Sequence, residues 1–243
     1  MSTPLPQVRV LAGVGAYNEE RTIGDVLARF EPGTVDEIVV MDDGSTDATP
    51  QVIARFPVTH LRHETNRGAG AGIKSMIRYG LEHDYDVFVV MAGNGKDDPQ
   101  QISRLLAPIL DQGYDYVQGS RFMRGGSRVH LPLQRTILLR LVTLLYRVLT
   151  GFPCTDPNNG FRAYRLSILD DPHINIWQEW LDRYEMEHYL NYLVLKRGYR
   201  VTEVPVSKTY PAGRRVRYSH VRPIVDWWSG LRPIFYLVLG LKR

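Results

Sequence analysis

The chain has 243 residues, a length that fits one α/β domain or such a domain with a small appendage. It is 44% hydrophobic and 23% charged, a composition that excludes disordered and fibrous proteins. Its one cysteine, Cys154, excludes an intramolecular disulfide and a cysteine-clustered metal site.

The first 120 residues alternate short runs rich in valine and isoleucine with segments of helical length. The runs predict strands over residues 8–14, 37–41, 58–61, 87–91 and 116–119. The intervening segments predict helices over residues 22–30, from Thr46 or Asp47 to Ala54, over 68–83 and over 99–112. Apolar strands separated by helices indicate a mostly parallel sheet that is buried on both faces.

Polar residues follow three of these strands, at residues 16–20, 42–47 and 92–98. Ligands of parallel sheets bind at the carboxyl ends of the strands, so these segments predict one crevice. Turn and helix-cap chemistry explains the residues from Ser45 to Asp47, but does not explain Asp42 and Asp43 together. Two such carboxylates can accept hydrogen bonds from a uracil or guanine base and from a ribose.

The second half differs from the first. Residues 131–150 predict a helix in which arginines interrupt a leucine-rich surface, residues 200–206 a late strand, and residues 223–241 a helix with tryptophans among basic residues. Both helices can pack on the core. Their mixture of aromatic, aliphatic and basic side chains is also typical of helices that lie in a membrane interface.

The formal charge of +4 is distributed unevenly. Residues 116–155 hold six arginines and no acid, and residues 207–243 hold eight basic residues and one acid. These two segments therefore carry +13, and the remainder of the chain carries −9. Scattered surface charge is one interpretation, and an anionic partner for one face is the other.

With no signal peptide and no membrane span expected, we predict a cytoplasmic protein that is soluble or peripheral on the cytosolic face of a membrane.

Seven segments, in chain order, carry a resemblance to a known family: AYNEERTI, VVMDDGSTDAT, HETNRGAGAG, VVMAGNGKDDP, YVQGSRFMRGG, DPNNGFRAYR and EVPVSKTYP. Together they resemble the inverting nucleotide-sugar glycosyltransferases of family 2, on the branch of dolichol-phosphate mannose synthase. The resemblance implies a GT-A fold over residues 1–215, with a nucleotide-binding half (1–120) and an acceptor half (121–215). Residues 216–243 would then form a basic amphipathic helix that faces a membrane.

The resemblance also implies a pocket for the nucleotide-sugar donor. Asp42 would accept hydrogen bonds from the base or the ribose, and Asp43 would support the turn. The other residues that the resemblance places beside the nucleotide are Tyr17, Glu19, Arg67 and Gly68.

For the acceptor, the resemblance implies that Arg121 lies near the donor and acceptor phosphates and acts in catalysis. Arg135 matches an arginine that helps to bind an acceptor phosphate, and Arg128 lies between the two in sequence. Asp156 and Arg162 belong to a segment that resembles Asp-x-x-Ser-Gly-Phe-Arg, with asparagine in place of the serine. We expect Asp156 to be catalytic, and Arg128, Arg135 and Arg162 to bind the acceptor.

The chain departs from the family at the segment that usually contributes Asp-x-Asp to a divalent metal. Those aspartates fall on Ala92 and Asn94, and a residue that often assists the metal falls on Lys96. In one interpretation Lys96 neutralises the diphosphate as a point charge and is catalytic. In the other, which we favour, Asn94, Asp97 and Asp98 form a shifted site for Mg²⁺ or Mn²⁺.

The leading prediction is transfer of a sugar, with inversion, from a GDP- or UDP-sugar to a polyprenyl- or dolichyl-phosphate. A phosphate oxygen is already anionic and needs no general base. A hydroxyl acceptor, as in polysaccharide or glycolipid synthesis, would need one from Asp156, Glu185 or Glu187. A non-catalytic nucleotide-binding module at a membrane surface is a further alternative. No nucleic-acid partner is expected, because no recognised module is present.

Overall fold

Residues 8–210 and 225–242, which the computed structural model describes, contain nine strands. In chain order these are β1 (Val10–Ala16), β2 (Glu37–Asp42), β3 (Thr59–Arg62), β4 (Val87–Ala92), β5 (Tyr116–Ser120), β6 (Ser127–Val129), β7 (Arg162–Arg165), β8 (Val201–Pro205) and β9 (Ser207–Thr209). Seven of them form one sheet with the order β3-β2-β1-β4-β7-β5-β8, and β6 pairs with β9 in a separate parallel ribbon.

The helices lie between these strands. They are α1 (Ile23–Ala28), α2 (Thr49–Ile53), α3 (Ala69–Glu82), α4 (Ile102–Gln112), α5 (Leu133–Thr150), α6 (Glu185–Lys196) and α7 (Val225–Val238). A 3₁₀ turn over Pro99–Gln101 precedes α4.

The predicted α/β class with a mostly parallel sheet is confirmed. Adjacent strands in the main sheet are parallel except at β7, which runs antiparallel to both β4 and β5. The sequence analysis did not predict β6, β7, β9 or α6. β7 was not predicted because its first and last residues are Arg162 and Arg165, so it lacks a continuous apolar run.

Alternating side chains of the central strands build two apolar cores on opposite faces of the sheet. Val39 and Met41 face the core that α3 and α6 cover, whereas Val40 faces the core that α1, α2 and α4 cover. This two-sided burial holds the strand ends rigidly and therefore positions the loops that follow them.

Helix α5 is buried much less than the other long helices. Its only fully buried side chains are Thr143 and Tyr146, and Tyr146 packs in a small cluster with Cys154, Tyr192 and Ile234. Ile234 belongs to α7, which packs against α6. Within the described ranges, no helix has both the length and the apolar character required to cross a bilayer. The domain boundary predicted at residues 215 and 216 lies outside the described residues.

Candidate functional site

A cavity of about 580 Å³ opens at the carboxyl ends of the central strands. The register explains its place, because Ala16 of β1 pairs with Asp42 of β2 and Gly15 pairs with Ala92 of β4. Five of the predicted site residues line it: Tyr17, Glu19, Asp43, Gly68 and Asp97. The crevice predicted at the strand ends is therefore present.

The loops after β1 and β2 are tied together by side chains. The backbone N–H of Asn18 donates to Ser45 Oγ at 2.9 Å, and the side-chain oxygen Oδ1 of Asn18 accepts from the backbone N–H of Thr46 at 2.9 Å. The Glu19 N–H donates to Thr49 Oγ1 at 2.8 Å. These bonds give Ser45, Thr46 and Thr49 a structural role and hold Tyr17 and Glu19 at the cavity wall.

Asp43 joins the cavity wall to the next loop. Its carboxylate accepts the backbone N–H of Arg67 at 2.9 Å and of Gly68 at 2.8 Å, and it contacts His63 Nδ1 at 2.6 Å. Arg67 therefore contacts Asp43 through its backbone, and the Arg67 side chain is exposed. Gly68 adopts a φ of +109°, which favours glycine.

Asp42, by contrast, is completely buried and does not line the cavity. Its Oδ1 accepts the Ser45 N–H at 2.8 Å, and its Oδ2 lies 3.2 Å from Arg62 Nε. Asp43, and not Asp42, therefore lines the cavity, and the base or ribose contact predicted for Asp42 stays a prediction. Met41 faces the core on the cavity side of the sheet, so alternation along β2 turns Asp42, its last residue, to the side of Val40.

The glycine-rich turn before α3 serves close backbone packing. Gly70 N–H donates to the Arg183 carbonyl at 2.8 Å, and Ala71 N–H donates to the Asp182 carbonyl at 2.9 Å. A Cβ on Gly70 would lie 2.0 Å from the Leu181 carbonyl oxygen. The turn thereby brings Arg183 and the adjacent Tyr184, which the sequence analysis did not single out, into the cavity wall.

The predicted metal ligands do not combine into a metal site. Both carboxylate oxygens of Asp97 lie 2.9 Å from Lys208 Nζ, and Asn94 Oδ1 accepts the Lys96 N–H at 3.2 Å. Asp98 Oδ1 caps the 3₁₀ turn through Gln100 N–H and lies 2.6 Å from Arg29 Nη2. No group of three acidic, histidine or cysteine ligands exists among the described residues. This donor set does not fit Mg²⁺ or Mn²⁺, which prefer several free oxygen ligands.

Lys208 lines this same corner of the cavity, and Lys96 precedes the lining residue Asp97 in the chain. The Thr209 N–H of β9 donates to the Lys96 carbonyl at 2.9 Å and fixes the backbone of the segment. Burial lowers the pKa of Lys96 to about 8, and the Lys208 and Arg135 charges act in the same direction against Glu19 and Asp97. Lys208 also donates to Asn159 Oδ1 at 3.1 Å.

Arg121 and Asp156 form a buried pair. Arg121 Nε and Nη2 donate to the two carboxylate oxygens of Asp156 at 2.6 and 2.7 Å, and Nη1 donates to the Tyr210 hydroxyl. Burial acts to lower the pKa of Arg121, but the Asp156 carboxylate outweighs it and raises that pKa. All three nitrogens of the Arg121 guanidinium thus bond within the protein, and neither Arg121 nor Asp156 lines the cavity. The phosphate contact predicted for Arg121 and the catalytic role predicted for Asp156 stay predictions.

Arg162 is also held inside the protein. Its guanidinium donates to the Tyr116 hydroxyl at 2.7 Å and to the Asn159 carbonyl at 2.6 Å, and lies 3.3 Å from Glu187 Oε1. Arg162 therefore does not present its charge to an acceptor as predicted. Of the three candidate bases, Glu187 lines the cavity, whereas the carboxylate of the fully buried Glu185 pairs with Arg232.

Three further arginines, Arg128, Arg135 and Arg140, lie beside two aromatic rings. The guanidinium carbons of Arg128 and Arg140 lie 4.8 and 5.2 Å from the Phe122 ring centre. The guanidinium carbon of Arg135 lies 5.7 Å from the ring centre of Tyr210. Such stacking holds an arginine in place while its donors remain available to an anion.

This geometry agrees with a comparison against protein families, in which the model described as "Glycosyl transferase family 2" matches residues 12–171. The chain belongs to glycosyltransferase family 2. It is a nucleotide-sugar-dependent glycosyltransferase, as the motifs of the strand-end loops predicted.

Several relatives of this glycosyltransferase are similar over most of the chain. An undecaprenyl-phosphate mannosyltransferase of Micrococcus luteus is 31% identical over 82% of this chain and 83% of its own. A polyprenol monophosphomannose synthase of Mycolicibacterium smegmatis is 29% identical over 86% of this chain and 80% of its own. A UDP-N-acetylglucosamine–dolichyl-phosphate N-acetylglucosaminyltransferase of Methanococcus voltae is 26% identical over 94% of each.

Solved structures confirm the fold of the glycosyltransferase. The glucosyl-3-phosphoglycerate synthase of Mycobacterium tuberculosis, in complex with Mn²⁺, UDP and glucosyl-3-phosphoglycerate, superposes with a TM-score of 0.67 at 20% identity. The match covers 96% of this chain and 79% of the synthase. A second structure of that synthase contains Mg²⁺ and UDP, so divalent metals occur among the structural neighbours.

Lys208 is a further cavity residue that sequence reasoning missed. It lies in the EVPVSKTYP segment, but its partner Asp97 is 111 positions away. No local pattern joins two charges at that separation.

Proposed function

We propose that the protein transfers a sugar, with inversion, from a nucleotide sugar to a polyprenyl phosphate at the cytosolic face of a membrane. The observation that carries this proposal is that α5 combines an exposed apolar stripe with Arg135, whose guanidinium carbon lies 5.7 Å from the ring centre of Tyr210, two residues after the cavity residue Lys208. One helix thus offers a surface for a lipid and a cation for its phosphate.

The apolar stripe of α5 consists of Leu133, Ile137, Leu141, Leu144 and Val148. Their side chains are between 55% and 74% exposed, and their spacing of three and four residues places them on one helical face. An exposed apolar face of this size, flanked by Arg140 and Arg147 on the same helix, fits the interface of an anionic bilayer. It supports peripheral membrane association.

The names of the relatives support the acceptor class. Three of them are named as transferases to undecaprenyl, polyprenol or dolichyl phosphate, and their matches include the acceptor half of this chain. Their names include mannosyl and N-acetylglucosaminyl transfer, so both GDP- and UDP-sugars belong in the test.

The chemistry requires few groups. A phosphate oxygen of the acceptor attacks the anomeric carbon, the bond from that carbon to the diphosphate oxygen breaks, and its electron pair stays on the departing nucleoside diphosphate. No proton has to be removed from an anionic acceptor. Positioning of the two substrates and neutralisation of the leaving group supply the catalysis.

The test is a transfer assay with the full chain, labelled UDP- and GDP-sugars, and vesicles that contain a polyprenyl phosphate. We expect label in the lipid phosphate and none in the matched polyprenol, which lacks the phosphate. Transfer to the polyprenol would instead indicate a hydroxyl acceptor, with Glu187 at the cavity wall as the candidate base. Nucleotide binding without any transfer would identify a non-catalytic module.

A further inference from the structure

The cavity corner formed by residues 92–97 and β9 contains the segment in which the metal-binding aspartates implied by the family resemblance fall on Ala92 and Asn94. Given the proposed sugar transfer, on which this inference rests, the site must neutralise the negative charge that gathers on the departing diphosphate. Relatives of this fold include an enzyme whose structures hold Mn²⁺ or Mg²⁺ with UDP. A divalent cation needs oxygen ligands at this corner, whereas an ammonium group needs none.

The oxygen ligands are missing or engaged. Ala92 has a methyl group, and the Asn94 side-chain oxygen accepts the backbone N–H of Lys96. The Asp97 carboxylate is 1% exposed and has Lys208 Nζ at 2.9 Å from both of its oxygens. A metal at this corner would have to displace the Lys208 ammonium to reach the one carboxylate of the segment that lines the cavity.

Two lysines belong to the same segments, and one of them, Lys208, lines the cavity. Lys96 is half-buried, and no carboxylate in the described part of the chain forms an ion pair with it. Gly95, with a φ of +70°, turns the chain into Lys96, and the bond from Thr209 N–H to the Lys96 carbonyl anchors it to β9. Lys208 is anchored on the other side by Asp97 and Asn159. The backbone of Lys96 and the side chain of Lys208 are therefore both held in place.

We propose that Lys96, supported by the Asp97-anchored Lys208, takes the place of the divalent cation and neutralises the diphosphate of the donor. In the transfer, the bond between the anomeric carbon and the diphosphate oxygen breaks, and the electron pair moves to that oxygen. Lys96 stabilises the added negative charge by its positive charge and by hydrogen bonding, without being consumed. Lys96 is thus a catalytic residue, and the reaction needs no added metal.

The first experiment measures binding without catalysis. Titration calorimetry compares UDP with UMP and GDP with GMP on the full chain, in EDTA and in Mn²⁺. We expect the preferred diphosphate to bind with a Kd that differs less than about threefold between EDTA and Mn²⁺. In Lys96→Met, we expect the diphosphate to bind about 10- to 100-fold more weakly and the monophosphate to be nearly unaffected, since one charged contact is lost.

Three variants sharpen the test. Lys96→Arg keeps the charge and should keep metal-independent binding, and the exposed Lys196→Met, on α6, should match the wild type. The triple variant Ala92→Asp, Asn94→Asp, Lys96→Gln restores oxygen ligands and should make both diphosphate binding and transfer depend on Mn²⁺. Far-UV circular dichroism and urea unfolding of each variant separate loss of the lysine from loss of the fold.

Transfer rates complete the test. We expect the wild type to keep its kcat in EDTA and Lys96→Met to lose about 100-fold or more, the size of effect seen when one preorganised donor to a developing anion is removed. Diphosphate binding or transfer that requires Mn²⁺ in the wild type would overturn the role of Lys96 and leave the proposed sugar transfer intact. A wild type that binds neither diphosphate, with or without metal, would overturn both.

Discussion

Arg121 donates two parallel hydrogen bonds to Asp156, from Nε at 2.6 Å and from Nη2 at 2.7 Å, across 35 positions of sequence. The pair joins the end of β5 to the loop that precedes β7. Glu203 of β8 supports the same loop by accepting the N–H groups of Thr155 at 2.7 Å and Asp156 at 3.0 Å. The arrangement fixes the loop that holds Asp156, and all three nitrogens of the buried Arg121 guanidinium bond within the protein.

Removing one member of this pair should therefore destabilise the protein. Asp156→Ala leaves the Arg121 charge buried without its partner, and we expect the free energy of unfolding to fall by about 3–5 kcal/mol. Urea unfolding at neutral pH measures this change. The double variant Arg121→Met, Asp156→Leu should recover part of the loss. An Asp156→Ala variant of wild-type stability that lacks transfer activity would restore the catalytic role predicted from sequence.

Asp42, the last residue of β2, and Asp43, which follows it, should respond differently to substitution. Asp43→Ala removes the acceptor for two backbone N–H groups at the cavity wall, and we expect a rise of about 10- to 100-fold in the Kd for the nucleotide. Asp42→Ala should change that Kd less than about threefold and lower the free energy of unfolding by about 1–3 kcal/mol. Calorimetry and urea unfolding of both variants decide the roles. A larger binding defect in Asp42→Ala would show that Asp42 turns toward the nucleotide.

Sequence reasoning predicted the parts of the fold that local patterns determine. β1, β2 and β4 have long apolar runs because both of their faces are buried, and their order along the chain placed the polar loops at one edge. Alternation along β2 also turns Asp42, its last residue, away from the face of Met41, and it could have been used to place Asp42 away from the cavity.

Other parts depend on contacts that no local pattern encodes. Lys208 meets Asp97 across 111 positions, and Arg162 reaches Glu187 only because β7 inserts antiparallel between β4 and β5. A resemblance to relatives assigns an arginine to a phosphate by its place in a motif. The structure shows instead what surrounds each guanidinium: Arg121 bonds to Asp156, and Arg162 bonds to Tyr116 and Asn159, and both are buried.

Arg135 is the arginine that we expect to act on the acceptor alone. Arg135→Ala should lower kcat/KM for the polyprenyl phosphate by about 10- to 100-fold, because a charged hydrogen bond to phosphate is lost. The Kd for the nucleotide should stay within about twofold. Arg55→Ala, which changes an exposed arginine beyond α2, is the matched control. Unchanged transfer in Arg135→Ala would remove Arg135 from the acceptor site.

The stripe on α5 should control binding to lipid. Leu141→Asp places a charge among apolar side chains, and we expect binding to anionic vesicles to weaken about tenfold or more, since burial of a leucine contributes about 1.5–3 kcal/mol. Leu110→Asp, on an exposed leucine of α4, should leave vesicle binding unchanged. Co-sedimentation at low salt measures both. Equal binding of the two variants would exclude α5 as the lipid-facing helix.

His188 should make the stability of the protein depend on pH. Burial lowers the pKa of His188 to about 3, with the Arg162 charge acting in the same direction, and its Nδ1 lies 2.7 Å from the Tyr146 hydroxyl. Between about pH 6.5 and this value the unfolded chain binds a proton that the folded protein excludes. The free energy of unfolding should therefore fall by up to about 1.4 kcal/mol per pH unit as the pH decreases through this range. Urea unfolding near pH 7, 6 and 5 should show a shallower dependence in His188→Gln than in the wild type, and equal slopes would mean that His188 is protonated in the fold.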